Sequence, residues 1–267
     1  MSPSPYSEDM SASKPRRHRA PRGEGHLLRG EILEAGRELV TELGSFDDVS
    51  VRAVAQRAGI STPAIYLHFA DKEALVDAIC ELVFVDLEKA MEAAVAALGP
   101  APEPLAELRA LAESYARFAL EHPEEYRVVL MSPPGHVVDT EYILDTVTHR
   151  RLVAAVVRCQ GAGLFAPSAN PLVVSLALWS VVHGVVSLYI ARPILSAWGE
   201  AVDVTLAVSS IAVCGIAALE RLGIDDASLI GGDLTAEDLA LRLSTALGPP
   251  HAVLDAMPSP PVPGTEG

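Results

Sequence analysis

Eight histidines and three cysteines are the residues of this chain best suited to chemistry, and their spacing supports none of the usual kinds. His18, His26, His68, His122, His136, His149, His183 and His251 are scattered, and no HExxH, no G-x-S-x-G and no glycine-rich phosphate loop occurs. His183 has Ser180 and Ser187 one helical turn away. No acid orients that pair, so a satisfied core network explains it without a nucleophile. Cys80, Cys159 and Cys214 lack metal-ligand spacing and fall in apolar helical patterns. They read as small buried hydrophobes in a reducing cytosol. No catalytic residue, no metal and no cofactor is expected. What remains is a short stretch in which Thr62, Tyr66, His68 and Lys72 offer hydrogen-bond donors rather than reagents.

The elements that must present those donors lie in Val49–Lys72. Ser50 can cap a helix whose apolar residues Val51, Val54, Ala55 and Ala58 recur at helical spacing. Gly59 follows, where a helix end wants a residue tolerant of positive φ. Ile60 can pin the turn. Ser61 is a second N-cap, and Pro63 sits in the next first turn, where its missing N–H costs nothing. The second helix is expected over 62–68, with Ile65 and Phe69 facing inward and Thr62, Tyr66 and His68 outward. Two helices joined by a short Gly turn make a helix-turn-helix, about 49–68, whose second helix enters a DNA major groove. Asp71 can cap a further helix running to about Leu98, and Lys72 beside its free N–H groups suits a DNA phosphate.

The run AxxAGISTPAIYLHFADKEAL resembles the signature of the TetR/AcrR transcriptional regulators, and the likeness extends from about His26 to Asp86. Leu67 departs from it, standing where many members carry an aromatic residue. The block Trp179–Gly184, with His183, is similar to a WHG-type C-terminal domain. The resemblance implies a homodimer on a palindromic double-stranded DNA operator, most often repressing, and released by a small-molecule effector. Carried over residue by residue, it places Ser50, Ser61, Tyr66, His68 and Lys72 on phosphates. It places Arg52, Thr62, Pro63 and Ala64 against base edges. Arg52 could then bind guanine bidentately, and Pro63 and Ala64 could touch a thymine methyl.

The rest of the chain reads as supporting equipment. Residues 1–25 are Ser-, Pro-, Arg- and Gly-rich and are expected to be disordered. Their basic run Lys14, Arg16, Arg17, Arg19 and Arg22 is either a solvated tail or an arm reaching the DNA backbone or minor groove. The N-terminus lacks the apolar core of a signal peptide. A helix over Leu28–Leu43 should brace the motif, ending at Gly44. The formal charge is −15, yet residues 1–72 hold 10 Lys+Arg against 10 Asp+Glu, and residues 73–267 hold the other 10 against 25. The DNA end is therefore neutral and the remainder acidic, which would orient the protein on a polyanion.

The fold class is all-α, with a DNA-binding domain over 26–86 and an effector-binding and dimerisation domain over 87–247. Its helices are expected at 104–121, 124–131, 139–161, 171–191, 203–222 and 236–247, and the tail 248–267 should be disordered. Tyr115, Phe118, Met131, Tyr142, His149, Trp179 and His183 are the effector candidates, since an apolar pocket with a few polar groups suits a small molecule. Leu172–Ile190 has 19 residues without a charge, and Val204–Leu219 is almost as apolar. Two membrane spans fit that length. A core shared by two subunits fits it too, and Ser175, Ser180, His183, Gly184 and Ser187 with no flanking basic excess favour the latter. No membrane partner is therefore expected. Val186 and Val208 are the positions where an arginine would test the interface.

Overall fold

The computed structural model describes residues 25–131, 146–224 and 235–247. The basic run Lys14–Arg22, His136, Tyr142, the expected helix start at 139 and the tail from Gly248 lie outside the described residues. Among the described residues all regular structure is helical. The chain divides into two compact units: Met1–Lys89 with Ala119–Thr146, and Ala90–Phe118 with Val147–Gly267.

The first unit opens with α1, Gly25–Leu43, whose buried stripe includes Ile32, Leu33, Leu39 and Val40. Gly44 ends it at φ +67°, donating its N–H to the Val40 carbonyl at 2.8 Å. Then come α2, Val51–Arg57, and α3, Thr62–Ile65. Ser50 Oγ accepts from the Ala53 N–H at 3.1 Å, as an N-cap should. At the other end Gly59 takes φ +69°, and the Ile60 N–H returns to the Ala55 carbonyl at 2.9 Å. α3 is one turn, not the two expected. Phe69 must join Ile65 in the core, and the Asp71 carboxylate already accepts from Ala74 N–H at 2.7 Å to begin the next helix. Between Ile65 and Asp71 the chain continues in turns, with the His68 and Phe69 N–H groups both donating to the Ile65 carbonyl at 2.9 and 3.0 Å.

That next helix, α4, runs unbroken over Lys72–Ala96. Leu75, Ala78 and Ile79 belong to the first unit's core. Gly36 on α1 makes a close approach possible: a Cβ there would lie 2.5 Å from Ile79 Cδ1. Burial pushes the Cys80 thiol up to about 12, so it is an inert core group.

The first unit also receives the segment expected to belong to the other domain. After α5, Pro104–Glu121, come α6, Pro123–Tyr126, and a π-helical turn, Arg127–Met131. Val128 joins the core around Ile32 and Ile65. Arg37 of α1 donates Nε and Nη2 to the two oxygens of Glu125, at 2.9 and 2.8 Å, and Nη1 to Asp86 at 2.6 Å. The Glu125 bond chiefly raises the Arg37 pKa against the opposing effect of burial. Burial pushes the Asp86 carboxyl up, but Lys89 and Arg37 outweigh it and hold the group below its ordinary value.

The second unit holds the end of α4, most of α5, then α7, Val147–Gly161, α8, Pro171–Ala191, α9, Ala201–Arg221, and α10, Ala236–Leu247. A short 3₁₀ helix, Pro193–Trp198, which the pattern did not announce, links α8 to α9. α8 and α9 pack along each other. Glu107 of α5, only 3% exposed, accepts from Arg158 of α7 through both oxygens, with Nε at 2.8 Å. Gln160 Nε2 ties the following loop by donating to the carbonyls of Ala166 and Ala169 at 2.7 and 2.8 Å.

Two expectations need correction here. Val186 is fully buried, so an arginine there would test folding rather than association. Leu172, Leu176 and Leu188 on α8 and Ile211 on α9, the last 71% exposed, are large apolar side chains left exposed within one chain. Cys214 is exposed, unlike Cys80 and Cys159. Pro171–Ala191 and Ala201–Leu219 are long and apolar enough to cross a membrane by length and composition.

Candidate nucleic-acid interface and effector cavity

The first candidate site is built on the first unit. Ile65 is fully buried and Phe69 nearly so, which anchors α3 and the residues after it on the core. Full burial of an isoleucine stabilises by roughly 1.5–3 kcal/mol, so the turn is firmly seated. From that seat Ser61, Pro63 and Tyr66 are exposed, and Thr62, Ala64 and His68 are half-buried. Ser50 and Arg52 are exposed at the start of α2. Lys72 Nζ donates to the Asp47 carbonyl at 2.9 Å, which fixes the ammonium beside the loop before α2.

The arginines of this unit divide into two kinds. Arg37 is spent on Glu125 and Asp86, and Arg57 on Glu38 and Glu42, where the Glu42 bond chiefly raises its pKa. Arg52 makes no ion pair among the described residues. Arg29 lies over the Phe69 ring, 5.1 Å from its centroid. Leu67, at the slot that departs from the family pattern, is 83% exposed.

The second candidate site lies within the second unit. A cavity of about 340 Å³ is lined by α4 at Met91, α5 at Leu108, Leu111, Ala112 and Tyr115, α7 at Leu152, α8 at Leu178, Trp179 and Val182, and α9 at Leu206 and Val213. Tyr115 Oη accepts from Trp179 Nε1 at 3.2 Å and lies 3.0 Å from His183 Nδ1. The Trp179 and His183 rings are 5.4 Å apart, and His149 meets Trp179 edge-on at 6.5 Å. His149 Nε2 is 3.5 Å from Ser175 Oγ. Burial lowers the pKa of both histidines, which favours their neutral forms.

Of the effector candidates, Tyr115 and Trp179 line this cavity, and His183 and His149 stand behind them in the same cluster. Phe118 is buried but is not in the wall, and Met131 belongs to the first unit. The expectation read aromatic and polar residues and missed the aliphatic wall. Leu108, Leu111 and Leu178 carry no chemical mark, since a leucine facing a cavity and one facing a core occupy the same helical positions.

The comparisons with known proteins fall on the same two parts of the chain. Residues 32–79 match the family described as bacterial regulatory proteins, tetR family, and residues 108–209 match the tetracyclin repressor-like C-terminal domain. The chain belongs to the TetR family. It is 42% identical over 55 residues to the class G tetracycline repressor protein of Vibrio anguillarum, covering 21% of this chain and 26% of that one. It is 35% identical over 87 residues to the HTH-type transcriptional regulator BetI of Yersinia pestis, covering 33% and 43%. The matched region thus spans a quarter to under half of these relatives' length. A solved structure, a protein with unknown function from Rhodococcus sp. RHA1, is similar at 27% identity and a TM-score of 0.58, over 77% of this chain and 100% of that one. The C-terminal match of this TetR-family chain does not carry the finer WHG-type assignment that Trp179, His183 and Gly184 suggested.

Proposed function

We propose that this TetR-family chain is a sequence-specific DNA-binding regulator of transcription, most simply a repressor, released from its operator by a small molecule. It works as a soluble cytoplasmic homodimer without catalytic activity. The observation that carries the reading is the contrast among cations in the first unit. Arg37 and Arg57 are held by carboxylates, while Arg52 and the donors Ser61, Tyr66 and His68 are presented beside a one-turn helix anchored by Ile65. Arg52, Thr62, Pro63 and Ala64 read base edges. Ser50, Ser61, Tyr66, His68 and Lys72 hold phosphates, which fixes register without specifying sequence.

The exposed Leu172, Leu176, Leu188 and Ile211 support an interface between copies, and Ser175, Ser180, His183 and Ser187 within α8 favour that over a membrane span. α4 supports a link between the sites, because one unbroken helix carries Leu75 and Ile79 in the first unit's core and Met91 in the cavity wall. Two recognition helices of a dimer must meet major grooves about 34–36 Å apart. A ligand that favours another spacing through Met91 lowers operator affinity. Binding-site selection with the full-length protein tests the reading: it should return an inverted repeat with half-sites about one helical turn apart. Enrichment of no sequence over random duplex would overturn it.

A further inference from the structure

We infer that the effector cavity takes an uncharged, largely hydrocarbon molecule carrying one hydroxyl group, which meets Tyr115 and can either donate to it or accept from it. The inference rests on reading this cavity as the effector site. Its interior is formed by aliphatic side chains such as Met91, Leu111 and Val182. A charge moved into such a wall loses its hydration without a counterion.

Among the described residues, the charged groups of the wall lie in solvent and Glu107 beside it is committed. The Glu107 carboxylate faces the Arg158 guanidinium through both oxygens. Glu103 and Arg109, the charged residues that border the cavity, are both exposed and opposite in sign, and Glu103 caps α5 by accepting from Ala106 N–H at 2.8 Å. His149 and His183 are favoured in their neutral forms by burial. The excess of Asp+Glu, 25 against 10 Lys+Arg over residues 73–267, further disfavours the approach of an anion.

Tyr115 is the buried polar side chain of the wall, its hydroxyl held in place by Trp179 Nε1 and His183 Nδ1, while the Ser209 and Ser210 hydroxyls of α9, less buried, already donate to the Thr205 and Leu206 carbonyls at 2.7 Å. A ligand hydroxyl placed there joins an ordered hydrogen-bond network, whereas against Met91, Leu111 or Val182 it would be stranded. The faces of Trp179 and Tyr115 make an organic cation the rival ligand, and the test separates the two.

The chain has 2 tryptophans, Trp179 and Trp198, so Trp198→Phe in the full-length protein leaves Trp179 as the sole emitter in the cavity wall. Decanol, decanoate and decylammonium are titrated near neutral pH, below their aggregation limits, with Trp179 emission and melting temperature as readouts. Decanol should change the emission saturably and raise the melting temperature, with each ion at least about tenfold weaker. Tyr115→Phe should weaken decanol by about two- to tenfold. Ala112→Phe should abolish binding by filling the cavity; if that variant does not fold, Tyr115→Phe decides alone. Equal or tighter binding of either ion, no binding by decanol, or an unchanged decanol affinity in Tyr115→Phe would overturn the inference. No DNA enters the measurement. A charged probe that wins sinks the ligand class and leaves the regulator standing, whereas decanol binding in a protein that selects no operator does the reverse.

Discussion

The two candidate sites are built on opposite plans. The nucleic-acid interface displays polar side chains on a small core, with its residues packed into one stretch, 50–72. The cavity sets the Tyr115–Trp179–His183 cluster and two α9 serines in a mostly apolar wall gathered from five helices between Met91 and Cys214. A local display is specified by caps and turns, and each residue contributes through its own donor or charge. A gathered cavity is specified by packing, and each residue contributes mainly by its shape. The two sites should therefore respond differently to substitution.

The largest effect is expected where the display meets its core. Ile65 is fully buried beneath the recognition turn. Ile65→Ala should cost about 2–5 kcal/mol of stability in chemical denaturation, because it leaves a cavity under α3. Operator binding should fall with it even though no contact residue has changed. Next is Arg52→Ala, which should cost roughly 1–3 kcal/mol of operator affinity and relax preference at one base position per half-site. Its melting temperature and its affinity for cavity ligands should stay at wild-type values. A selection profile unchanged at every position would remove Arg52 from base readout.

Legibility in the sequence follows the same division. Ser50, Gly59, Pro63 and Asp71 are caps and breakers whose effect is local, so the helix-turn-helix could be read from spacing alone. α5 is legible for the same reason, bounded by Pro104 and by His122-Pro123, and it appears over Pro104–Glu121 as expected. Tertiary demands were not legible. The recognition helix is shorter than its apolar spacing suggests: regular helix stops at Ile65, although Phe69 still returns its N–H to the Ile65 carbonyl at 3.0 Å and joins it in the core. Residues 123–131 pack with the first unit because Glu125 meets Arg37, 88 residues earlier in the chain, and Val128 enters its core. Val186 and Ile211 sit on apolar helices that look alike in sequence, yet one is fully buried and the other exposed. An almost uniformly apolar helix does not say which face turns inward.

A smaller effect should come from acid. Burial lowers the folded-state pKa of His149 and His183 below the ordinary 6.5. Above pH 6.5 both are neutral whether folded or not, so nothing is lost. As pH falls through 6.5 the unfolded chain takes up protons that the folded chain resists, and stability declines until the folded groups protonate in turn. His183→Gln should flatten that decline in a melting-temperature series across this range. An identical slope in the variant would assign the acid sensitivity to other groups. Smallest of all, Tyr66→Phe should weaken operator binding by about 0.5–1.5 kcal/mol, and equally on every sequence, because a phosphate contact carries no base information.

The central claim is that the two sites, for all their difference in construction, share one free energy. It is tested most directly by reciprocal titration: operator affinity with and without a saturating cavity ligand selected by thermal shift, and ligand affinity with and without saturating operator, using Ala112→Phe as the blocked control. The account predicts that both affinities fall by the same factor in the wild-type protein and that neither changes in the control. A ligand that occupies the cavity with equal affinity in the presence and absence of operator would contradict it.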